Sequence, residues 1–317
     1  MSTKKLIAVV GATGAQGGGL ARAILDDPNS LFALRAITRK PDSEAAQALA
    51  ARGAEVVQAD LDSVESLTQA FAGCYGAYCI TNFWEHFSAE KEKAQAANLA
   101  QAARQAGVKH VIWSTFEDTR DLLPVDDDRM PVLQGAYNVP HFDAKAEANQ
   151  YFLDQGVPTT FLDTSFYWEN FIYFGSGPQR GPDGVLGLTM PLGTAKLPGI
   201  AAEDIGKAAY GIFKHGDAYI GKTVGVAGEQ LTGEEMAAAF TRALGQQVRY
   251  NDVPADMFRS FGFAGADEMG NMFQYKRDFN ESYCDIRDVK LTRELNPDLQ
   301  SFDQWLARNG DRIPLPA

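Results

Sequence analysis

The sequence predicts an α/β fold, a doubly wound parallel sheet with a smaller mixed α/β C-terminal lobe. Three observations predict it. Apolar runs alternate with helix-period segments from Lys5 to about Asp163, the first run passes through a glycine-rich turn directly into a helix, and beyond Thr164 the alternation gives way to aromatic and glycine-rich sequence.

Lys5 to Val10 is apolar between flanking charge and glycine, and Leu20, Ile24 and Leu25 follow the turn at helical spacing, which reads as strand, turn and helix. Leu34 to Thr38 is the second strand, Ser43 to Ala51 an alanine-rich helix closed by Gly53, Glu55 to Gln58 the third strand, and Ser63 to Phe71 a helix ended by Gly73. Ala77 to Thr81 is the fourth strand, Ser88 to Ala106 a long helix stopped by Gly107, and Val108 to Ser114 the fifth strand. Strands joined by helices pair in parallel, with helices on both faces. After the acidic loop Asp118 to Asp128, a helix over Phe142 to Leu153 and a strand over Thr159 to Asp163 extend the sheet. Residues 1–164 are therefore expected to form the sheet domain, and 201–227, with a helix to Lys214 and a strand over Ala218 to Val226, to return to it. The smaller lobe comprises 165–200 and 228–317.

The formal charge of −12 gives no global grip on a phosphate backbone, so direct nucleic-acid binding is not expected. No stretch approaches the ~20 apolar residues of a membrane helix, and Leu6 to Val10 is too short for a signal peptide, which points to a cytoplasmic protein. Cys74, Cys79 and Cys284 form no Cys-x-x-Cys pair, so they read as reduced thiols, and no metal site is expected.

Gly11-Ala12-Thr13-Gly14-Ala15-Gln16-Gly17 leaves a predicted strand and opens a predicted helix. Side chains at the glycines would hold a pyrophosphate away from the backbone N–H groups, and the helix N-terminus contributes partial positive charge. This is the dinucleotide turn of a Rossmann sheet, with Gly18 and Gly19 expected to let the helix approach that sheet. An NAD site places an acidic residue about 20 residues beyond the glycines, at the end of the second strand. Here Arg39 and Lys40 stand instead, and a guanidinium pairs with a 2′-phosphate through two parallel hydrogen bonds, which favours NADP(H). Asp60 is placed to accept from the adenine amino group, with Asp62 or Ser63 as cap of the next helix, and Asn82 ends the fourth strand, where open sheets bind ligands.

These residues, with Thr81-Asn82-Phe83-Trp84-Glu85, His141-Phe142-Asp143-Ala144-Lys145, Tyr167-Trp168-Glu169-Asn170 and Phe302-Asp303-Gln304-Trp305-Leu306, resemble the NmrA-like family of atypical short-chain dehydrogenase/reductase proteins over nearly the whole chain, and its redox-sensor type most. The resemblance implies NADP(H) contacts from Gly11 to Gln16, Arg39 to Ser43, Asp60, Leu61, Asn82, Lys145, and Tyr167, Trp168, Glu169 and Asn170. Enzymes of the wider superfamily use Tyr-x-x-x-Lys, the phenol donating a proton and the lysine lowering its pKa. Here the position reads His141-x-x-x-Lys145. His141 and Lys145 are the catalytic candidates, while Ser114 or Thr115 takes the place of the superfamily's strand-end hydroxyl.

Two functions follow. The retained cofactor residues and the missing tyrosine fit a redox sensor in which NADP(H) reorders Phe83 to Lys91 or Glu117 to Pro140 and so alters a surface for a regulatory partner or for a second copy, as a homodimer. The alternative is an NADPH-dependent reductase of quinones, enones or similar small aromatic acceptors, with Phe83, Trp84, Tyr167, Trp168, Phe171 and Phe174 as a stacking cleft, although aromatic clusters at these spacings are more often lobe core.

Overall fold

A computed structural model describes residues 4–315; residues 1–3 and 316–317 at the ends of the expected domains lie outside it. The strands in chain order are β1 (Lys5–Val10), β2 (Phe32–Thr38), β3 (Glu55–Gln58), β4 (Gly76–Cys79), β5 (His110–Thr115), β6 (Thr159–Asp163), β7 (Phe166–Tyr167), β8 (Gln179–Arg180), β9 (Leu186–Met190), β10 (Lys196–Ile200), β11 (Thr223–Gly225), β12 (Glu229–Thr232) and β13 (Val248–Asp252). The helices are α1 (Ala15–Asp26), α2 (Glu44–Ala51), α3 (Val64–Phe71), α4 (Ala89–Ala106), α5 (Pro140–Asp154), α6 (Asn170–Tyr173), α7 (Ala202–Lys214), α8 (Gly233–Leu244), α9 (Ala255–Arg259), α10 (Ala266–Asp278), α11 (Asn280–Ile286), α12 (Val289–Leu295) and α13 (Phe302–Asn309).

The chain divides into two compact units. The first runs to Asp118 and takes in His141–Thr164 and Glu203–Val224; the second comprises Thr119–Pro140, Ser165–Ala202 and the chain from Gly225.

The first unit is the expected sheet, in the order β11-β6-β5-β4-β1-β2-β3. Its pairings from β6 through β3 are parallel, with β1 registered on β2 from Lys5–Phe32 to Val10–Ile37. Strands β4 and β5 are buried along their whole length, as parallel strands covered on both faces must be. Trp113 and Phe152 pack at 5.1 Å between centroids in the core between β5 and α5. Glu203–Val224 lies in this unit with most of α7 and β11, and Gly216–Tyr219 forms a 3-10 turn ahead of the strand.

The second unit holds two small sheets, β12-β10-β7 and β13-β9-β8, with α8 to α13. Trp168 fills its core against Phe302 and Trp305, at 5.2 and 6.1 Å, over the glycines at 199 and 228. The acidic loop, expected with the sheet domain, belongs here instead. Buried Asn271 of α10 donates to the carbonyls of Pro131 and Asn138 at 2.8 and 2.7 Å, and Gln274 donates to Arg129 at 2.8 Å, so the loop's backbone is satisfied by this helix.

Candidate functional site

The sheet order sets β3, β2, β1 and β4 side by side, and the segments leaving their C-terminal ends carry most of the expected site. After β1 the chain turns at Gly11, whose φ of +65° lies in the left-handed region where glycine carries no Cβ penalty. The N–H of Gly14 donates back to the carbonyl of Gly11 at 2.8 Å, closing the turn. A Cβ on Gly17 would come within 2.8 Å of the Val10 carbonyl and strike that of Gly11, so the helix starts against the strand end only because residue 17 has no side chain. Gly14 caps α1 without a side chain, and the first turn of α1 holds no acidic residue. In contrast, Ser43, Ser63 and Ser88 accept from the backbone at the starts of α2, α3 and α4. Gly11, Thr13, Gly14 and Ala15 are exposed, while Ala12 is buried. The result is a helix N-terminus with no capping side chain between its backbone and an anion.

Gly19 does not serve the sheet as expected. A side chain there would enter the backbone of Glu203 at the start of α7, and one on Gly206 would enter the backbone of Gly19 and Leu20. The two helices therefore cross with main chain against main chain. Gln16, expected at the nucleotide, turns its side chain inward and is 3% exposed. Its Oε1 accepts from the Tyr78 hydroxyl and from Ser114 Oγ, the latter at 3.0 Å. Ser114 thus anchors α1 to β5, and Thr115 Oγ1 donates to the Lys145 carbonyl at 3.0 Å, so both strand-end hydroxyls have structural partners.

After β2, Arg39, Lys40, Pro41, Asp42 and Ser43 line a solvent-open hollow of about 420 Å³ together with Gln58. Arg39 forms a two-pronged ion pair with Glu85, Nη1 to Oε1 at 2.5 Å and Nη2 to Oε2 at 3.0 Å. This hydrogen bonding, more than charge alone, raises the Arg39 guanidinium further above its usual range and lowers the Glu85 carboxyl. After β3, Asp60 is exposed, and its Oδ1 accepts from the Asp62 N–H at 3.0 Å. Leu61 packs on the core of the unit, and Ser63, not Asp62, caps α3. After β4, Asn82 is exposed and its carbonyl accepts from Glu85 N–H at 3.2 Å, opening the 3-10 turn Phe83–Glu85.

Beneath that turn lies a buried polar cluster. Lys145 Nζ sits 2.5 Å from Glu92 Oε1, 2.6 Å from Thr81 Oγ1 and 5.0 Å from the centre of the Trp113 ring. Thr81 also donates to Glu92, and His86 Nε2 stands 3.5 Å from Glu92 Oε2. Burial by itself would raise the Glu92 carboxyl, but the Lys145 charge and the hydrogen bonds around it prevail and hold it down at about 2. Glu92, Thr81 and Glu85 were not singled out from sequence as site residues.

The His141 ring is 4% exposed and enclosed by Trp84, Phe83, Phe116 and Phe142, at centroid distances of 4.9, 5.8, 5.7 and 4.7 Å. An aromatic enclosure fixes the ring by packing.

Tyr167, Trp168, Glu169 and Asn170 fall in the second unit. Trp168 belongs to its core. Glu169 accepts from Ala202 N–H at 2.8 Å and from Trp305 Nε1 at 3.1 Å, so both of its oxygens are engaged. Tyr167 and Asn170 are half-buried. Phe171 joins the lobe core, whereas Phe174 is exposed, so the proposed aromatic cleft divides between Phe83 and Trp84 in the first unit and core residues of the second.

A parallel sheet whose first strand enters a helix through a three-glycine turn is that of the Rossmann class of dinucleotide-binding proteins. Within it, the chain belongs to the NmrA-like family, which matches residues 3–306. It is 32% identical over 285 residues to the NmrA-like family domain-containing oxidoreductase FrzB of Cladobotryum sp, covering 83% of this chain and 80% of that one. It is also similar to the structure of NmrA, a negative transcriptional regulator, with a TM-score of 0.78 at 25% identity, covering 96% of this chain and 95% of that one. NmrA has also been solved in complex with NAD and with NADP. The triphenylmethane reductase of Citrobacter sp. shares the fold with a TM-score of 0.73 at 22% identity, covering 96% of this chain and 98% of that one.

Proposed function

We propose that the strand ends of the first unit bind NADP(H) and that the chain is a redox-sensing regulator whose conformation or association follows the NADPH/NADP+ balance. The residues fit such a cofactor. The turn from Gly11 to Gly17 exposes backbone at Gly11 and Gly14 and is held against the strand end because Gly17 has no room for a side chain, Arg39 and Lys40 line the hollow suited to a 2′-phosphate, and Asp60 and Asn82 follow β3 and β4 of the same sheet. The observation that carries the regulatory reading is the committed state of the residues at the superfamily's catalytic positions: His141 lies within aromatic rings, Ser114 holds Gln16, and Lys145 is bound to Glu92 and Thr81. The likeness to NmrA supports it. The cytoplasm, where NADP(H) is plentiful, and a protein partner or a homodimer belong to this reading.

A second reading is favoured by the relatives named as oxidoreductases and by the triphenylmethane reductase likeness. Bound NADPH supplies a hydride. A quinone acceptor can take its proton from water, so the missing tyrosine does not oppose reduction of small aromatic acceptors.

Parallel calorimetric titration with NADPH, NADP+, NADH and NAD+ tests both readings. Absence of binding by all of them removes both. A preference between NADPH and NADP+ supports the sensor, whereas equal affinity together with quinone-dependent loss of NADPH absorbance supports the reductase. Arg39→Ala is expected to weaken NADPH binding by roughly 10–100-fold, the worth of a hydrogen bond to a charged group, and to leave NADH unchanged; an unchanged NADPH/NADH ratio refutes the 2′-phosphate assignment. His141→Phe, which preserves the packing, is expected to keep NADPH affinity and any reductase turnover. Lost turnover with intact binding would reinstate His141 as the acid.

A further inference from the structure

We propose that Glu85 is a specificity-determining residue of this site: it competes with the cofactor's 2′-phosphate for Arg39, so that NADP(H), and not NAD(H), releases the turn from Phe83 to Phe87. The inference rests on the NADP(H) reading above and adds a regulatory consequence to it.

The sheet order carries the first part. β1 lies between β2 and β4, Arg39 follows β2, and Glu85 lies in the turn after β4. Their ion pair therefore reaches across the C-terminal end of β1, where the glycine turn begins. Glu85 meets the guanidinium with both oxygens in the parallel fork that a phosphate also uses, so carboxylate and phosphate seek the same donors. The two anions do not share those donors at equal strength. Asp60 and Asp62 already add negative field at Arg39, and a 2′-phosphate beside Glu85 brings a further like-charge contact. The pair is also exchangeable. The Arg39 and Glu85 side chains are 62% and 46% exposed, and ion pairs in water are worth little.

The second part follows from what Glu85 is attached to. Its turn is closed by short backbone bonds from His86 and Phe87 to the Phe83 carbonyl, at 3.1 and 2.7 Å. Phe87 has φ of +53°, an unfavourable conformation for a residue with a bulky side chain. The same turn lays Trp84 against His141 and His86 against Glu92. Releasing Glu85 removes the ion pair that ties the turn to the segment following β2, and Trp84 registers the change. NAD(H) lacks the 2′-phosphate, so it leaves the pair closed.

The test compares wild type with Glu85→Gln, titrated with NADP+, NAD+ and 2′,5′-ADP as the isolated phosphate-bearing probe. Glu85→Gln is expected to bind NADP+ and 2′,5′-ADP roughly fivefold more tightly, the worth of an exposed pair, with less than about twofold change for NAD+. In wild type, NADP+ but not NAD+ is expected to change the Trp84 emission, taken as the difference from a Trp84→Phe variant. Unchanged or weaker NADP+ binding by Glu85→Gln overturns the competition, as does equal tightening of NAD+. Tighter NADP+ binding with a Trp84 emission identical in both cofactors overturns the release of the turn. Wild-type protein that binds no dinucleotide at all is a different result, and it overturns the cofactor reading itself.

Discussion

Glu92→Gln is expected to destabilise the protein by about 3–5 kcal/mol, because it leaves the Lys145 ammonium buried without its counter-charge. Glu92 is wholly buried and Lys145 is 7% exposed, so water cannot take over the lost interaction. Chemical unfolding at neutral pH measures the loss directly. A Glu92→Gln/Lys145→Met double variant, which removes both charges, is expected to recover much of it. The effect depends on pH with a definite sign. A carboxyl whose native value lies below its unfolded value contributes stability above the unfolded value and loses it as pH falls through the native one. For Glu92 that window runs from 4.5 down to about 2. The gap between wild type and variant should therefore be widest above pH 4.5 and close as acid is added. A gap independent of pH through that window would show that the pair is not ionised as described.

Gly17→Ala is expected to lower NADPH affinity by more than about tenfold and stability by roughly 1–3 kcal/mol, the range for overpacking a tight interior. The added methyl meets the carbonyls of Val10 and Gly11, which are main-chain atoms of the strand end and the turn and cannot rotate aside. Gly18→Ala is the matched control. Its methyl meets chiefly the Arg22 guanidinium, the mobile end of a long side chain, at 3.1 Å, so both properties should change little. Alanine is the better helix former at both positions, so equal losses from the two substitutions would show that contact with the turn is not what the missing side chain of Gly17 protects.

The sheet was legible because its signals are local. Each strand of the first unit carries its own apolar run, and most helices carry their own caps and glycine stops, so Ser43, Ser63, Gly53 and Gly107 mark boundaries without reference to distant residues. The glycine turn was legible for the same reason. Glu92 was not, since in Ala89-Glu-Lys-Glu-Lys it looks like one charge of a solvated face, and only the approach of Lys145 from α5 makes it the centre of a buried cluster. Gln16 likewise sits in a nucleotide-binding motif, yet it faces inward because Tyr78 and Ser114 rise beneath it from neighbouring strands. Trp168 and Glu169 carry a family motif that does not reveal their packing; their partners Trp305 and Phe302 lie near the far end of the chain. The placement of the loop at 119–140 in the second unit depended on Asn271, which no local pattern connects to it.

The backbone contact between α1 and α7 has a consequence in time. With Gly19 and Gly206 about 190 residues apart in the sequence, and chain growth of about 5–20 residues per second, α7 is synthesised about 10–40 s after α1. Throughout that interval the glycine face of α1 has no partner surface and β6 lacks its outer neighbour β11. The whole of the intervening second-unit segment from Ser165 to Ala202 must pass before either is supplied. A nascent chain paused near residue 164 is thus a sheet with an open edge and a bare helix. That makes the ribosome-bound stage, rather than the finished protein, the point at which this fold is most exposed to aggregation and most dependent on chaperones.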